Sequence, residues 1–278
     1  MSNPARIAFV GGGNMARSLI GARLRNGADP ASIRVAELDA RLRAQLATDF
    51  GVTTCERGRE AVAGADVVVL AVKPQVLRAV CEELADLLHA RRPLILSIAA
   101  GVRIAQIDGW LGGGFPIVRC MPNTPALVGA GASGLFANEA ADAGARELAE
   151  KLLASAGITE WIAREELMDV VTALSGSGPA YFFLLIEALE DAAVGEGLPR
   201  ATARALAVQT CLGAARMASE DGESPSRLRE RVTSPGGTTA AALESFAEGG
   251  FRDLVAAAVH AATVRGAQLS DLMRGEST

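Results

Sequence analysis

With 278 residues, half of them hydrophobic and 21% charged, the chain has material for roughly two domains of about 150 residues each and is too apolar for a disordered polymer. Its formal net charge of −5, without a basic cluster, argues against nucleic acid or an anionic membrane as the main partner. No stretch reaches the roughly 18 to 20 uninterrupted apolar residues of a membrane span, because "VVVLAV" stops at Lys73 and "YFFLLIEALEDAA" is broken by acids.

The amino-terminal "MSNPAR" runs directly into a strand-like "IAFV" without the basic and apolar regions of a signal peptide, so a cytoplasmic location is expected. From residue 6 to about 135, short β-branched runs alternate with helical periodicity, the pattern of a parallel sheet covered by helices. The expected strands are "RIAFV", "IRVAE", a weaker "GVTT", "DVVVLAV", "LILSIA" and "PIVRC". Between them lie amphipathic stretches such as "MARSLIGARLRNG" and "DARLRAQLATDFG", each closed by a glycine. After Thr124 a short strand, a helix and another short strand complete an α/β, Rossmann-type doubly wound domain over residues 1–164.

From Glu165 onward strand signals disappear. Residues 165–278 read as an all-helical domain whose helices are divided by "SGSGP", "EGLPR", "DGESPS", "TSPGGTT" and "EGG". The helix beginning near Pro179 carries Tyr181, Phe182, Phe183, Leu184, Leu185, Ile186 and Leu189, so apolar side chains go most of the way round it. One amphipathic face cannot account for that. Either the helix is central to its domain or two subunits enclose it, and the small size of the domain points to a dimer interface.

The four cysteines, Cys55, Cys81, Cys120 and Cys211, have neither disulfide nor metal-ligand spacing and read as free thiols, so no metal is expected. His89 and His260 each stand alone on a helix-like segment and read as structural or exposed.

Two stretches carry the chemistry. "GGGNMA", comprising Gly11, Gly12, Gly13, Asn14, Met15 and Ala16, fits G-x-G-x-x-A between a strand and a helix. Gly11 permits the tight turn, Gly13 lets the backbone approach a pyrophosphate, and Ala16 allows close helix–strand packing. At the end of the second strand, Glu37 and Asp39 are candidates for the adenosine ribose. A carboxylate there suits the free hydroxyls of NAD, Arg41 or Arg43 could instead supply a cation for NADP, and both acids could simply begin a helix. Val72, Lys73 and Pro74 in "AVKPQ", Ala99 and Ala100 in "SIAAG", and Asn123 in "MPNTP" end later strands on the rim where an α/β sheet binds its ligands.

The second stretch is "VTSPGGTTAAALES", a proline-glycine loop that opens a helix with free backbone N–H groups. A threonine capping the next helix would be its purely structural role.

Taken together, "VGGGNMA", "AVKPQ", "SIAAGV", "RCMPNTPALVGAG", "SGSGPAY" and "RVTSPGGTTAAALESF" resemble the pyrroline-5-carboxylate reductase family, in order and through nearly the whole chain. The resemblance implies reduction of Δ1-pyrroline-5-carboxylate to L-proline by NADP(H), with NAD(H) as the alternative. It also implies a helical domain that dimerises, with dimers assembling to decamers. Cofactor contacts would match Gly11 to Ala16, Val72–Lys73–Pro74 and Ala99–Ala100. Substrate contacts would match Asn123, Glu165, Ser234, Gly236, Gly237, Thr238 and Thr239, with Thr239 catalytic. Two departures from the family pattern stand on the adenosine side: Gly58 where an asparagine is usual, and Glu37 where many NADP-preferring relatives have a small residue.

Two anions then explain two helix starts: the first would hold the cofactor pyrophosphate and the second the substrate carboxylate. Thr239 would hydrogen-bond the ring nitrogen. An imine nitrogen is more basic than a ketone oxygen, so the substrate can arrive protonated and needs no histidine acid. Glu165 could favour the cationic ring, or could serve only as the acidic first turn of a helix. A hydroxyacid dehydrogenase of the same plan would need a lysine or histidine base, which "TALSGSGPAYFFLLIEALEDA" lacks, and a non-catalytic dinucleotide sensor would have no use for the second loop.

Overall fold

The computed structural model describes residues 4–220 and 222–275; the outer limits expected for the two domains, residues 1 and 278, lie outside them. The first half alternates strand and helix: β1 (Ile7–Val10), α1 (Asn14–Arg25), β2 (Ile33–Ala36), α2 (Ala40–Phe50), β3 (Thr53–Cys55), α3 (Gly58–Val62), β4 (Val67–Leu70), α4 (Pro74–His89), β5 (Leu94–Ser97), α5 (Ile104–Trp110), β6 (Ile117–Met121), β7 (Gly131–Ala137), α6 (Ala143–Leu153) and β8 (Gly157–Trp161). The strands form one sheet in the order β3-β2-β1-β4-β5-β6-β7-β8. All pairs are parallel except β6 with β7. Residues 122–130 between them are too few for the dozen or so of a crossover, so the chain turns back on itself there.

The central strands are buried on both faces, as parallel strands covered by helices must be. One cluster gathers around Phe9, Leu19, Val35 and Leu96 and the other around Leu70, Leu77, Ile107 and Phe115. The expected glycine stops are present: Gly27 and Gly51, just beyond α1 and α2, have φ of 84° and 66°, a conformation that costs glycine nothing. All four cysteines are free, and burial pushes the Cys81 and Cys120 thiols up to about 12, which makes them inert. His89 is satisfied at the Leu111 carbonyl, 2.8 Å away, and His260 is exposed.

The helical half contains α7 (Met168–Val171), α8 (Gly178–Gly195), α9 (Arg200–Glu220), α10 (Pro225–Arg231), α11 (Thr238–Glu248) and α12 (Phe251–Gly275). One expectation is overturned here, because "SGSGP" does not divide two helices. The chain stays helical from Glu165 to Gly195, through a wide turn at Thr172–Gly176 in which the Ser177 N–H donates to the Thr172 carbonyl, five residues back. Pro179 has no N–H to offer the Ser175 carbonyl. That carbonyl accepts instead from the Asn123 side chain at 3.0 Å, so proline leaves nothing unsatisfied.

Joining the segments also changes the hydropathy reading. By length and composition this 31-residue helix is apolar enough to cross a membrane, although its apolar run is interrupted. Phe182, Phe183 and Leu184 on α8 are all more than half exposed.

The internal contacts divide the chain into residues through Ser177 together with those from Ala261, and residues Gly178–His260. Within the second unit α8 and α9 pack as a helical hairpin. Glu190, almost fully buried, accepts from Arg204 Nε at 2.8 Å and from Arg200 Nη1 at 2.9 Å. The Arg204 hydrogen bond first, then the Arg200 one, holds its carboxyl below the usual carboxylate range, against the opposing effect of desolvation. A depressed folded-state pKa stabilises the fold above the ordinary value of about 4.3 and ceases to do so as pH falls through the depressed value. Glu190→Gln is therefore expected to lower Tm at pH 7, with the deficit shrinking toward pH 3 in thermal melts; a deficit independent of pH would contradict the ion-pair account.

Candidate active site

The strand order reverses between β1 and β4, and ligands of open α/β sheets bind beyond the carboxyl ends of the strands at such a point. Gly11 leaves β1 there with φ 102°, its N–H donating to the Ala36 carbonyl at 2.8 Å. A Cβ on Gly11 would lie 2.7 Å from the Ala71 carbonyl oxygen, so only glycine allows the turn to press against the end of β4. Gly13 is the N-cap of α1 and makes no side-chain cap; a Cβ there would meet nothing within 4 Å. Open space lies in front of N–H groups that no cap has taken, a cradle suited to a pyrophosphate.

Around this cradle, Asn14 begins α1 exposed, Met15 is half-buried and Ala16 is buried. Val72 lines a cleft of about 150 Å³ with Gly11, Glu37 and Gly58. Lys73 is exposed at the N-cap of α4 and Pro74 occupies its first turn. Ala99 is buried and Ala100 exposed beyond β5.

Glu37 and Asp39 have separate roles. Asp39 caps α2, accepting from the N–H groups of Arg41 and Leu42, and those bonds hold its carboxyl below the usual range. Glu37 reaches back across the glycine turn, accepting from the Gly12 N–H at 2.8 Å and the Asp39 N–H at 3.0 Å. The sequence could not separate these two acids, because only the bend after β2 decides which one turns toward the loop.

Asn123 and Glu165 belong to an internal polar framework. The Asn123 amide donates to the Ser175 carbonyl and its oxygen accepts from the Ala132 N–H at 2.9 Å, tying the wide helical turn to β7. Glu165 accepts from Arg119 at 2.7 Å and from the Ile104 N–H, at the start of α5, at 2.8 Å. Arg103 donates to the Glu165 carbonyl at 2.9 Å and to Asp169 at 2.8 Å, and Ser270 on α12 donates to the other Asp169 oxygen at 3.5 Å. Sequence reading missed Arg103, Arg119 and Asp169. The one available signal was Arg119 within the apolar strand "PIVRC", where an arginine needs a buried partner.

In the second loop, Gly236 has φ 69° and the Gly237 N–H donates to the Ser234 carbonyl at 3.1 Å. Gly237 is the N-cap of α11 and makes no side-chain cap. Thr238 and Thr239 are the first two helical residues, so neither has the N-cap place that a purely structural role would give it. Thr238 is exposed and Thr239 half-buried.

The sequence model for pyrroline-5-carboxylate reductase dimerisation matches residues 165–269, and that for coenzyme F420-dependent NADP oxidoreductases matches residues 6–101. The pyrroline-5-carboxylate reductase of Pseudomonas aeruginosa is 52% identical, with 98% of each chain covered. A solved structure of a pyrroline-5-carboxylate reductase from Coxiella burnetii superposes with a TM-score of 0.93 at 46% identity, covering 96% of this chain and 99% of that one. The pyrroline carboxylate reductase of Plasmodium falciparum with NADP bound gives a TM-score of 0.85 at 29% identity, covering 97% and 100%.

The framework itself can be tested. Glu165→Ala leaves the Arg119 guanidinium buried without its partner and is expected to cost about 3–5 kcal/mol in urea denaturation, with Arg119→Met/Glu165→Leu regaining most of that. A loss below about 1 kcal/mol for the single variant would show that the pair bears little of the fold's stability.

Proposed function

The chain belongs to the pyrroline-5-carboxylate reductase family, and from that premise we propose how its own residues carry out the reaction. It is an NAD(P)H-dependent oxidoreductase that reduces Δ1-pyrroline-5-carboxylate to L-proline, the last step of proline biosynthesis, and it has a dimerisation domain.

The glycine turn from Gly11 to Ala16 holds the cofactor pyrophosphate on the N–H groups at the start of α1, and Val72, Lys73, Pro74, Ala99, Ala100 and Asn123 line the rest of the cofactor's path. The bound nicotinamide supplies a hydride. The observation that carries the substrate assignment is the unfilled glycine N-cap of α11, because it leaves N–H groups free for a carboxylate. The turn comprising Ser234, Gly236, Gly237, Thr238 and Thr239 holds that carboxylate, and the Thr239 hydroxyl accepts the N–H of the protonated ring.

Orientation and exclusion of water then do most of the catalysis, since a protonated imine needs no acid at the moment it is reduced. Glu165 acts through Arg119 and the start of α5 rather than by touching the ring. The domain boundary that goes with this reading is residues 1–164 for the cofactor and 165–278 for substrate and dimerisation. The exposed apolar faces of α8 and a cleft of about 950 Å³ bordered by Leu185, Phe246 and Phe251 support a homodimer in which a second copy covers them. Dimers assembling to decamers in the cytoplasm complete the proposal.

Thr239→Ala removes one hydrogen bond to a charged group, worth about 1.5–3 kcal/mol, so kcat/KM for pyrroline-5-carboxylate is expected to fall about tenfold to a hundredfold with cofactor affinity unchanged. An unchanged kcat/KM would remove Thr239 from the mechanism. A panel of 2-keto and 3-hydroxy acids is expected to give no comparable oxidation of NAD(P)H.

A further inference from the structure

The adenosine end of the dinucleotide site is acidic. The cleft of about 150 Å³ between the ends of β1 and β2 and the face of α4 has apolar walls at Val10, Val80 and Leu84, the surroundings an adenine ring needs. Three carboxylates line it, those of Glu37, Glu56 and Glu83, and no lysine or arginine does.

Glu37 is fixed by two backbone donors, Gly12 on one oxygen and Asp39 on the other, so its charge cannot swing away when a ligand enters. Each oxygen keeps a second lone pair free to accept a hydroxyl. Arg43, six residues beyond Glu37, is already engaged: it donates through Nη1 to the Glu37 and Leu38 carbonyls at 2.7 Å each, and its Nη2 lies 3.5 Å from Glu56. Asp39 adds a further carboxylate one residue beyond the 79%-exposed Leu38. A ribose with free 2′- and 3′-hydroxyls gains acceptors here, whereas a 2′-phosphate would bring about two negative charges to fixed carboxylates.

We propose that Glu37, anchored on the Gly12 and Asp39 amides, makes this enzyme select NADH over NADPH through the 2′ position of the adenosine ribose. The inference rests on the assignment of the Gly11–Ala16 turn as the dinucleotide site.

The test is equilibrium binding of NADH and NADPH to the intact enzyme, read by calorimetry and by the fluorescence of the bound nicotinamide, with 5′-AMP and 2′,5′-ADP as competitors that report on the adenosine end alone. Wild type is expected to bind NADH at least about tenfold more tightly than NADPH, a difference of about 1.4 kcal/mol. That gap should narrow as ionic strength rises. Glu37→Ser is expected to tighten NADPH at least about tenfold and to weaken NADH. Glu37→Gln keeps the shape without the charge, and is expected to close most of the gap should the serine variant fold poorly. Equal or tighter NADPH binding by wild type, or a gap unaltered in both variants, would overturn the selection while leaving the dinucleotide site in place. Binding of neither dinucleotide would overturn the site and the selection together.

Discussion

The proposed chemistry of this molecule depends on helix starts without side-chain caps. The first turn of any α-helix presents N–H groups that the helix cannot satisfy, and at four other α-helices of this chain carboxylate or hydroxyl side chains take some of them. Asp39 caps α2, Asp142 caps α6, Ser224 caps α10, and the Glu165 carboxylate takes the first N–H of α5. At α1 and α11 the N-cap is glycine and no side chain reaches in. Those amides are left open to an anion, and at Gly13 the space that a Cβ would take is open as well.

Such openings demand rigidity nearby. The switch point of the sheet sets the first one, since Gly11 sits against the end of β4 closely enough to exclude any side chain. In the same unit, the framework of Arg119, Glu165, Arg103 and Asp169 joins β6, the start of α5 and the beginning of the long helix, and Ser270 brings the end of α12 onto the Asp169 carboxylate. Charges held this far from solvent are costly to separate. Asn123 does the same work without charge, serving the wide turn with its amide and β7 with its oxygen.

The sheet was legible in the sequence because its strands are apolar on both faces and its helices end at glycines, and both signals are local. The wide helical turn was not. Glycine and proline in "SGSGP" ordinarily break helices, and the partner that lets Pro179 stay, Asn123, lies some fifty residues earlier in the chain. For the same reason Asn123 and Glu165 could be singled out as polar residues near the rim but not recognised as supports, since Ser175 and Arg119 identify them only once the chain is folded. The two glycine helix starts were legible, because such a start is written in consecutive residues. Which of Glu37 and Asp39 faces the first of them was not, because that depends on the bend between β2 and α2.

The claim that a capless helix start receives the substrate carboxylate is tested most directly by a crystal structure of the enzyme grown with proline and an oxidised cofactor. The account requires the carboxylate density of proline on the N–H groups at Gly237 to Thr239, with the ring nitrogen within hydrogen-bond distance of the Thr239 hydroxyl. Density for proline bound through a lysine or arginine side chain instead, with the Pro235–Thr239 turn unoccupied, would contradict it.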